Sequence, residues 1–249
     1  MPTNQQISRR TLLGLMGAAG AAGLAGCEPT IDAFMWFRRL FSRMPNVASM
    51  PPCIVRPEQM EGPYFVDARL DRSDIRSDPS DGAIKEGTPL AVTFRVHEIR
   101  GAECRPLPQA MVDLWQCDAL GIYSGVRDRF ADTRGKLFLR GHQMTDGAGA
   151  ARFLTIYPGW YPGRTVHLHF KIRTDPAARR GYDYTSQLYF DDALSDRVFR
   201  QAPYDATGRG RVRNDDDWIF RDGGDALRLD PAPAAEGWAA AFDIGLVLN

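Results

Sequence analysis

Tyr157-Pro158-Gly159-Trp160-Tyr161-Pro162-Gly163-Arg164-Thr165-Val166-His167-Leu168-His169-Phe170-Lys171-Ile172 is the stretch on which the fold turns. From Val166 onward, residues alternate in character and are β-branched or aromatic at intervals, which predicts a strand; on a strand, side chains two apart share a face. His167 and His169 therefore project side by side. Neutral imidazole is the commonest side-chain metal ligand, and this pair follows a Gly/Pro-rich loop carrying Tyr161 and Arg164, so the pattern points to a metal site at the entrance of a strand. The competing reading is two histidines satisfied within the fold. The chain has only four histidines, and two of them stand here beside a tyrosine and a guanidinium.

The available ligands narrow the metal. A ferrous site of the two-histidine, one-carboxylate kind needs an acid near the pair, yet His169 is followed by Phe170, Lys171, Ile172 and Arg173, and the nearest downstream acid is Asp175. Structural zinc wants thiolates, and no cysteine lies close by. Tyrosine offers a hard phenolate oxygen, which forms at neutral pH only when a strongly acidic cation draws the proton off. Ferric iron is such a cation.

Composition excludes other classes. With 31 basic and 31 acidic residues in 249, the chain carries no net charge and nothing that suits a nucleic-acid binder. Residues 1–27 contain Arg9-Arg10 and then a Gly/Ala/Leu run, resembling a twin-arginine export signal, and end in Leu24-Ala25-Gly26-Cys27, similar to a bacterial lipobox whose cysteine would be acylated. The expectation is an exported protein of the cell envelope, anchored to a membrane by lipid at Cys27. Export in the folded state suits a metal loaded in the cytoplasm. Residues 28–50 read either as a linker or as an interfacial helix, with Ile31, Phe34, Met35, Phe41 and Met44 near helical spacing and Arg38, Arg39 and Arg43 between them. The composition shifts at Pro51-Pro52, and residues 51–249 read as one catalytic domain.

Within that domain a half-buried strand is expected over 90–98, with His97 on its solvent face, and a second over 110–117 that delivers Asp118, Gly121 and Tyr123 into a loop. Segments 138–144 and 151–156 flank Thr145-Asp146-Gly147-Ala148-Gly149, the signature of a hairpin, with His142 as a structural residue inside it. Strands over 186–190 and 239–248, and a short acidic helix over 191–199, complete the pattern. Many short strands with scarcely any helix predict an all-β fold, a β-sandwich with long loops. Apart from Cys27, three cysteines remain, so at least one is free. Cys53 and Cys104, both in loops, are the expected disulfide pair, and Cys117 the buried thiol.

Five blocks occur in the order known from one family: Glu61-Gly62-Pro63-Tyr64-Phe65, the run from Asp113-Leu114-Trp115-Gln116 to Gly121-Ile122-Tyr123-Ser124, Phe138-Leu139-Arg140-Gly141, the run from Pro158 to Phe170, and Gln187-Leu188-Tyr189-Phe190. Together they resemble the intradiol ring-cleavage dioxygenases, relatives of protocatechuate and catechol dioxygenase. The resemblance implies a β-sandwich holding one non-haem ferric ion, Fe(3+), through Tyr123, Tyr161, His167 and His169. It also implies Arg164 and Gln187 beside the reacting ring, Tyr161 as the phenolate that leaves to take a proton, and a catechol-type substrate opened by dioxygen to a muconate-type diacid. Two departures stand out: only Pro162 and Gly163 separate Tyr161 from Arg164, and no long helical dimerisation region precedes the domain. An exported β-sandwich binding module without catalysis is the alternative from another class, and it leaves the tyrosines and arginine beside His-x-His unexplained.

Overall fold

The computed structural model of the protein describes residues 54–175, 182–207 and 210–248; the expected signal and tether over 1–50 lie outside the described residues. Among the described residues run β1 (Pro89–Arg100), β2 (Glu103–Pro106), β3 (Met111–Trp115), β4 (Arg140–Met144), β5 (Ala150–Ile156), β6 (His167–Arg173), β7 (Asp183–Tyr189), helix α1 (Asp192–Val198), β8 (Ala232–Pro233) and β9 (Trp238–Val247). They form two sheets. One has the order β2-β1-β9-β8 with β5 also on β1, and the other the order β4-β3-β6-β7. The expected β-sandwich is therefore the observed fold.

Alternation along β6 builds both the core and the site. Leu168, Phe170 and Ile172 are fully buried between the sheets, while His167, His169, Lys171 and Arg173 take the opposite face. Phe170 meets Phe94 of β1 at 5.1 Å and Phe242 of β9 at 5.6 Å, and Phe94 packs edge-on against Phe153 of β5 at 6.0 Å. Aromatic pairs at these separations add about 0.5–1.5 kcal/mol each beyond their burial. The predicted acidic helix is α1, whose Asp191 side chain accepts a hydrogen bond from the Leu194 amide in the manner of an N-cap.

Two expectations are corrected. The 145–149 turn does not make a hairpin: β4 pairs with β3 in one sheet, and β5 pairs with β1 in the other. The turn chemistry itself is as expected, since the Asp146 carboxylate accepts from the amides of Ala148 and Ala150, both at 2.9 Å. A local turn sets the reversal of the chain but not its partner. The Val96 amide donates to the Gly149 carbonyl at 2.8 Å, drawing the chain onto β1 rather than back along β4. The second correction concerns His97, which is 9% exposed and not a surface residue. β1 is central in its sheet, with β9 parallel along one edge and β5 and then β2 along the other, so His97 lies between Pro106 and Gly245. For the same reason Ala91 and Thr93, on its outer face, are buried. His142 is structural as expected: it is buried, and its amide donates to the Leu70 carbonyl.

Cys117 is free and buried, and Cys104 is disulfide-bonded. Cys53, the expected partner of Cys104, lies outside the described residues.

Candidate metal centre

The site occupies the outer face of the β4-β3-β6-β7 sheet. His167 is set first. Its Nδ1 donates to the Thr165 carbonyl at 2.6 Å, which puts the ring proton on Nδ1 and turns the Nε2 lone pair into the site. Thr165 is itself held, because its amide donates to Asp217 Oδ2 at 2.7 Å and its hydroxyl meets Asn214 Oδ1 at the same distance. His169 Nε2 lies 3.1 Å from His167 Nε2. The His169 ring stacks on Trp115, its neighbour across β3, at 5.1 Å and 9°. On its other side is Gly62, where a Cβ would sit 3.4 Å from His169 Cε1.

The tyrosines arrive by two loops that touch through glycine. Gly121 has φ +84°, and a Cβ there would lie 2.2 Å from the Trp160 carbonyl oxygen; a Cβ on Gly159 would lie 2.4 Å from the Asp118 carbonyl oxygen. Only residues without a side chain allow the 118–123 loop to lie directly on the 157–161 segment. Asp118 shapes the first loop by accepting from the amides of Leu120 and Ile122, and Lys85 pairs with it at 2.9 Å. The Tyr123 and Tyr161 hydroxyls consequently come to 3.5 Å and 3.4 Å from His167 Nε2. Tyr64 stacks on Tyr123 at 4.3 Å and meets Tyr161 edge-on at 5.7 Å, closing an aromatic wall.

Four donors expected from the sequence, Tyr123, Tyr161, His167 and His169, thus converge on one point. Burial, reinforced by the Arg164 charge, pulls the His167 imidazole down to about 3 and holds His169 well below its ordinary value, so both rings are neutral at pH 7. Burial pushes both phenols above their ordinary value, and Arg164 opposes it. Two bare imidazole nitrogens 3.1 Å apart fit a shared cation, since ligands each about 2.1 Å from one metal stand at that separation when roughly at right angles. Among the described residues no group of three or more His, Cys, Asp and Glu side chains gathers to hold a metal, so a cation here draws on the phenols. Only a strongly acidic one would deprotonate them.

Arg164 is also at the site, with its side chain 11% exposed. Its Nε donates to Asp217 Oδ2 at 2.8 Å and its Nη2 to Gln187 Oε1 at 2.6 Å. The Gln187 side chain is committed to the scaffold: the carbonyl also accepts from the Tyr189 hydroxyl at 3.2 Å, and the amide donates to the Met60 carbonyl at 3.0 Å. Gln187 is thereby a residue that orients Arg164. Sequence reasoning missed Asp217, which is fully buried and serves Arg164 and Thr165 together. It follows Asp215 and Asp216 in an irregular loop, and nothing local distinguishes it from them. Tyr64 stood inside a recognised block without an assigned place.

The profile of the dioxygenase family matches residues 60–206, a span that contains all four donors, Arg164 and Gln187. The chain belongs to the intradiol ring-cleavage dioxygenases. Within that family it is 33% identical over 174 residues to the protocatechuate 3,4-dioxygenase beta chain of Burkholderia cepacia, covering 64% of this chain and 72% of that one. It is 26% identical to a hydroxyquinol 1,2-dioxygenase of Corynebacterium glutamicum, of which it spans 58%. Among solved structures, the intradiol ring-cleavage dioxygenase of Tetranychus urticae superposes with a TM-score of 0.65 at 31% identity, over 79% of this chain and 95% of that one. Asp217 lies beyond the span matched by the family profile. The intradiol assignment disfavours the reading as a binding module without catalysis.

Proposed function

We propose that the protein holds one ferric ion through Tyr123, Tyr161, His167 and His169 and, with dioxygen, opens a catechol-type ring between its two hydroxylated carbons to give a muconate-type diacid. The observation that carries this is the convergence of two phenol oxygens and one imidazole nitrogen within 3.5 Å of His167 Nε2. When bound, the ion would supply Lewis acidity, keeping the phenols ionised and drawing electron density from a chelated catechol.

The chain's own residues do the rest. Tyr161 is half-buried on a turn whose next residues, Pro162 and Gly163, are exposed, whereas Tyr123 is 2% exposed and covered by Tyr64. Tyr161 would be the donor able to swing away, and its phenolate oxygen would take up a proton from the incoming catechol. Arg164 stays cationic, since its guanidinium is raised further by Tyr161 and Asp217 despite burial. Held by Asp217 and Gln187, it faces the ring where negative charge develops. Tyr64, packed against the buried cluster of Trp115 and Tyr123, gives the site an apolar side.

Purified protein loaded with iron is incubated with simple catechols under labelled dioxygen, and the products are weighed. Both oxygen atoms appear in a ring-opened diacid. A product carrying one labelled atom or none, or iron-loaded protein that leaves catechols intact, refutes the proposal.

We propose further that the protein belongs to the cell envelope, exported by the twin-arginine route and tethered by lipid at Cys27. The Arg9-Arg10 and Leu24-Ala25-Gly26-Cys27 motifs support it, and the disulfide-bonded Cys104 agrees with an oxidising compartment. Cys27→Ser releases the protein from membranes; a variant that fractionates like its parent, with no lipid in the intact mass of either, refutes the anchor.

A further inference from the structure

Arg140 is a buried charged group near the site that the mechanism above does not use. It is 2% exposed, on β4. Strand register places Arg140 opposite Trp115, Trp115 opposite His169, and His169 opposite Gln187, so these four buried residues form a single row across the sheet. Its guanidinium donates through Nε and Nη2 to the carbonyl of Ser124, the residue after Tyr123, at 3.2 and 2.6 Å, and through Nε to the Ser124 hydroxyl at 2.9 Å. Ser124 in turn donates to the Phe138 carbonyl at 2.6 Å, so the clamp ties the loop carrying Tyr123 to the start of β4. Arg140 Nη1 has no partner.

Arg173, the other buried arginine among the described residues, pairs with Asp67 and Asp113, whereas Arg140 faces no carboxylate among the described residues. A buried cation without a counter-charge is strongly unfavourable unless something else supplies the charge. Burial pulls the Arg140 guanidinium down to about 10, and the group that opposes this is the Tyr123 phenol.

We propose that Arg140 is a positioning and charge-compensating residue for Tyr123: its guanidinium clamps the loop that carries this ligand and offsets the negative oxygen that Tyr123 presents to the metal. The proposal rests on the ferric reading above. It divides the two guanidinia of the site by task. Arg164, already neutralised by Asp217, serves the substrate; Arg140, neutralised by no carboxylate, serves the ligand phenolate that stays in place.

The test compares Arg140→Gln, which keeps an amide donor and loses the charge, with Arg140→Lys, which keeps the charge and loses the fork. Iron affinity of the folded protein and the position of its visible phenolate-to-iron absorption are measured, alongside thermal unfolding of the metal-free form. The Gln variant binds iron roughly 10–100-fold more weakly, the range for lost support around a metal ligand. Its absorption moves to longer wavelength, because the phenolate loses its stabilising charge. The Lys variant keeps the parent's absorption and most of its affinity, even where both variants unfold at lower temperature. A Gln variant with the parent's affinity and spectrum overturns the proposal, as does a folded Lys variant that loses iron as severely as the Gln one. Where the Gln variant does not fold, Arg140→Met takes its place with the same expected losses. A parent that takes up no iron defeats the ferric reading first, and the Arg140 proposal with it.

Discussion

Asp217→Asn is the change that separates support of the site from the site itself. Asp217 is fully buried and its two oxygens accept four hydrogen bonds: Oδ2 from Arg164 Nε at 2.8 Å and the Thr165 amide at 2.7 Å, Oδ1 from the Ile219 and Phe220 amides at 2.8 and 3.3 Å. An asparagine can satisfy the donors on one side only, and its own amide hydrogens then face the donors on the other. Arg164 is left buried without its counter-charge. Breaking such a pair from one side costs about 3–5 kcal/mol. For a chain of this size each kcal/mol lowers the midpoint by about 2–4 °C, so thermal unfolding should fall by roughly 6–20 °C. The pH dependence follows from the carboxylate. Burial opposes ionisation, but the Thr165 amide and Arg164 outweigh it and hold the folded pKa below the ordinary value. A depressed folded pKa means that the stability is present above the unfolded carboxylate value and is lost as pH falls through the folded one. The gap in melting temperature between parent and variant is therefore full at neutral pH and closes in acid. Because Thr165 also holds His167 Nδ1, iron affinity drops with stability. Scanning calorimetry of both proteins from neutral pH into acid checks this; a variant that melts within about 2 °C of the parent at pH 7, or a gap that does not change with pH, refutes the reasoning.

Other substitutions test neighbouring parts of the argument. His167→Ala or His169→Ala should lose iron and visible colour together, as measured by metal analysis and absorbance. Arg164→Ala should keep the colour while turnover falls on the order of a hundredfold, the usual effect of removing one charge-stabilising donor. Tyr161→Phe should retain part of the iron but lower kcat, because no phenol oxygen remains to accept the catechol proton; single-turnover kinetics would locate the loss in the steps after binding. Gly121→Ala should destabilise by at least about 1–2 kcal/mol from its left-handed backbone alone. It should also push the Tyr123 loop off the Trp160 carbonyl, so iron content falls as well. An alanine variant with normal iron and stability would show that the two loops do not need this contact.

What was legible in the amino-acid order was whatever depends on neighbours along the chain. Period-two alternation in β6 placed His167 and His169 on one face and Phe170 in the core, and Asp191 marked the start of α1 through a bond to its own third neighbour. The family blocks named Tyr123, Tyr161, Arg164 and Gln187, and all of them lie at the site. Tertiary structure decided what depends on residues far apart. The Asp146 turn has a hairpin's chemistry, yet β5 joins β1 some sixty residues earlier, because strand partners are selected by packing across the whole sandwich and not by the turn. His97 looked solvent-facing by alternation and became buried because strands closed on both edges of β1. Asp217 reaches Arg164 across 53 positions, with nothing local to separate it from an ordinary surface charge, and although Arg140 stood inside a family block, its bond to Ser124 across 16 positions was not legible there. Side-chain periodicity is a property of a single strand, whereas the counter-charge of a buried group is a property of the packed whole; the four candidate donors could therefore be picked out in advance, and the bonds by which Asp217 and Arg140 support them could not.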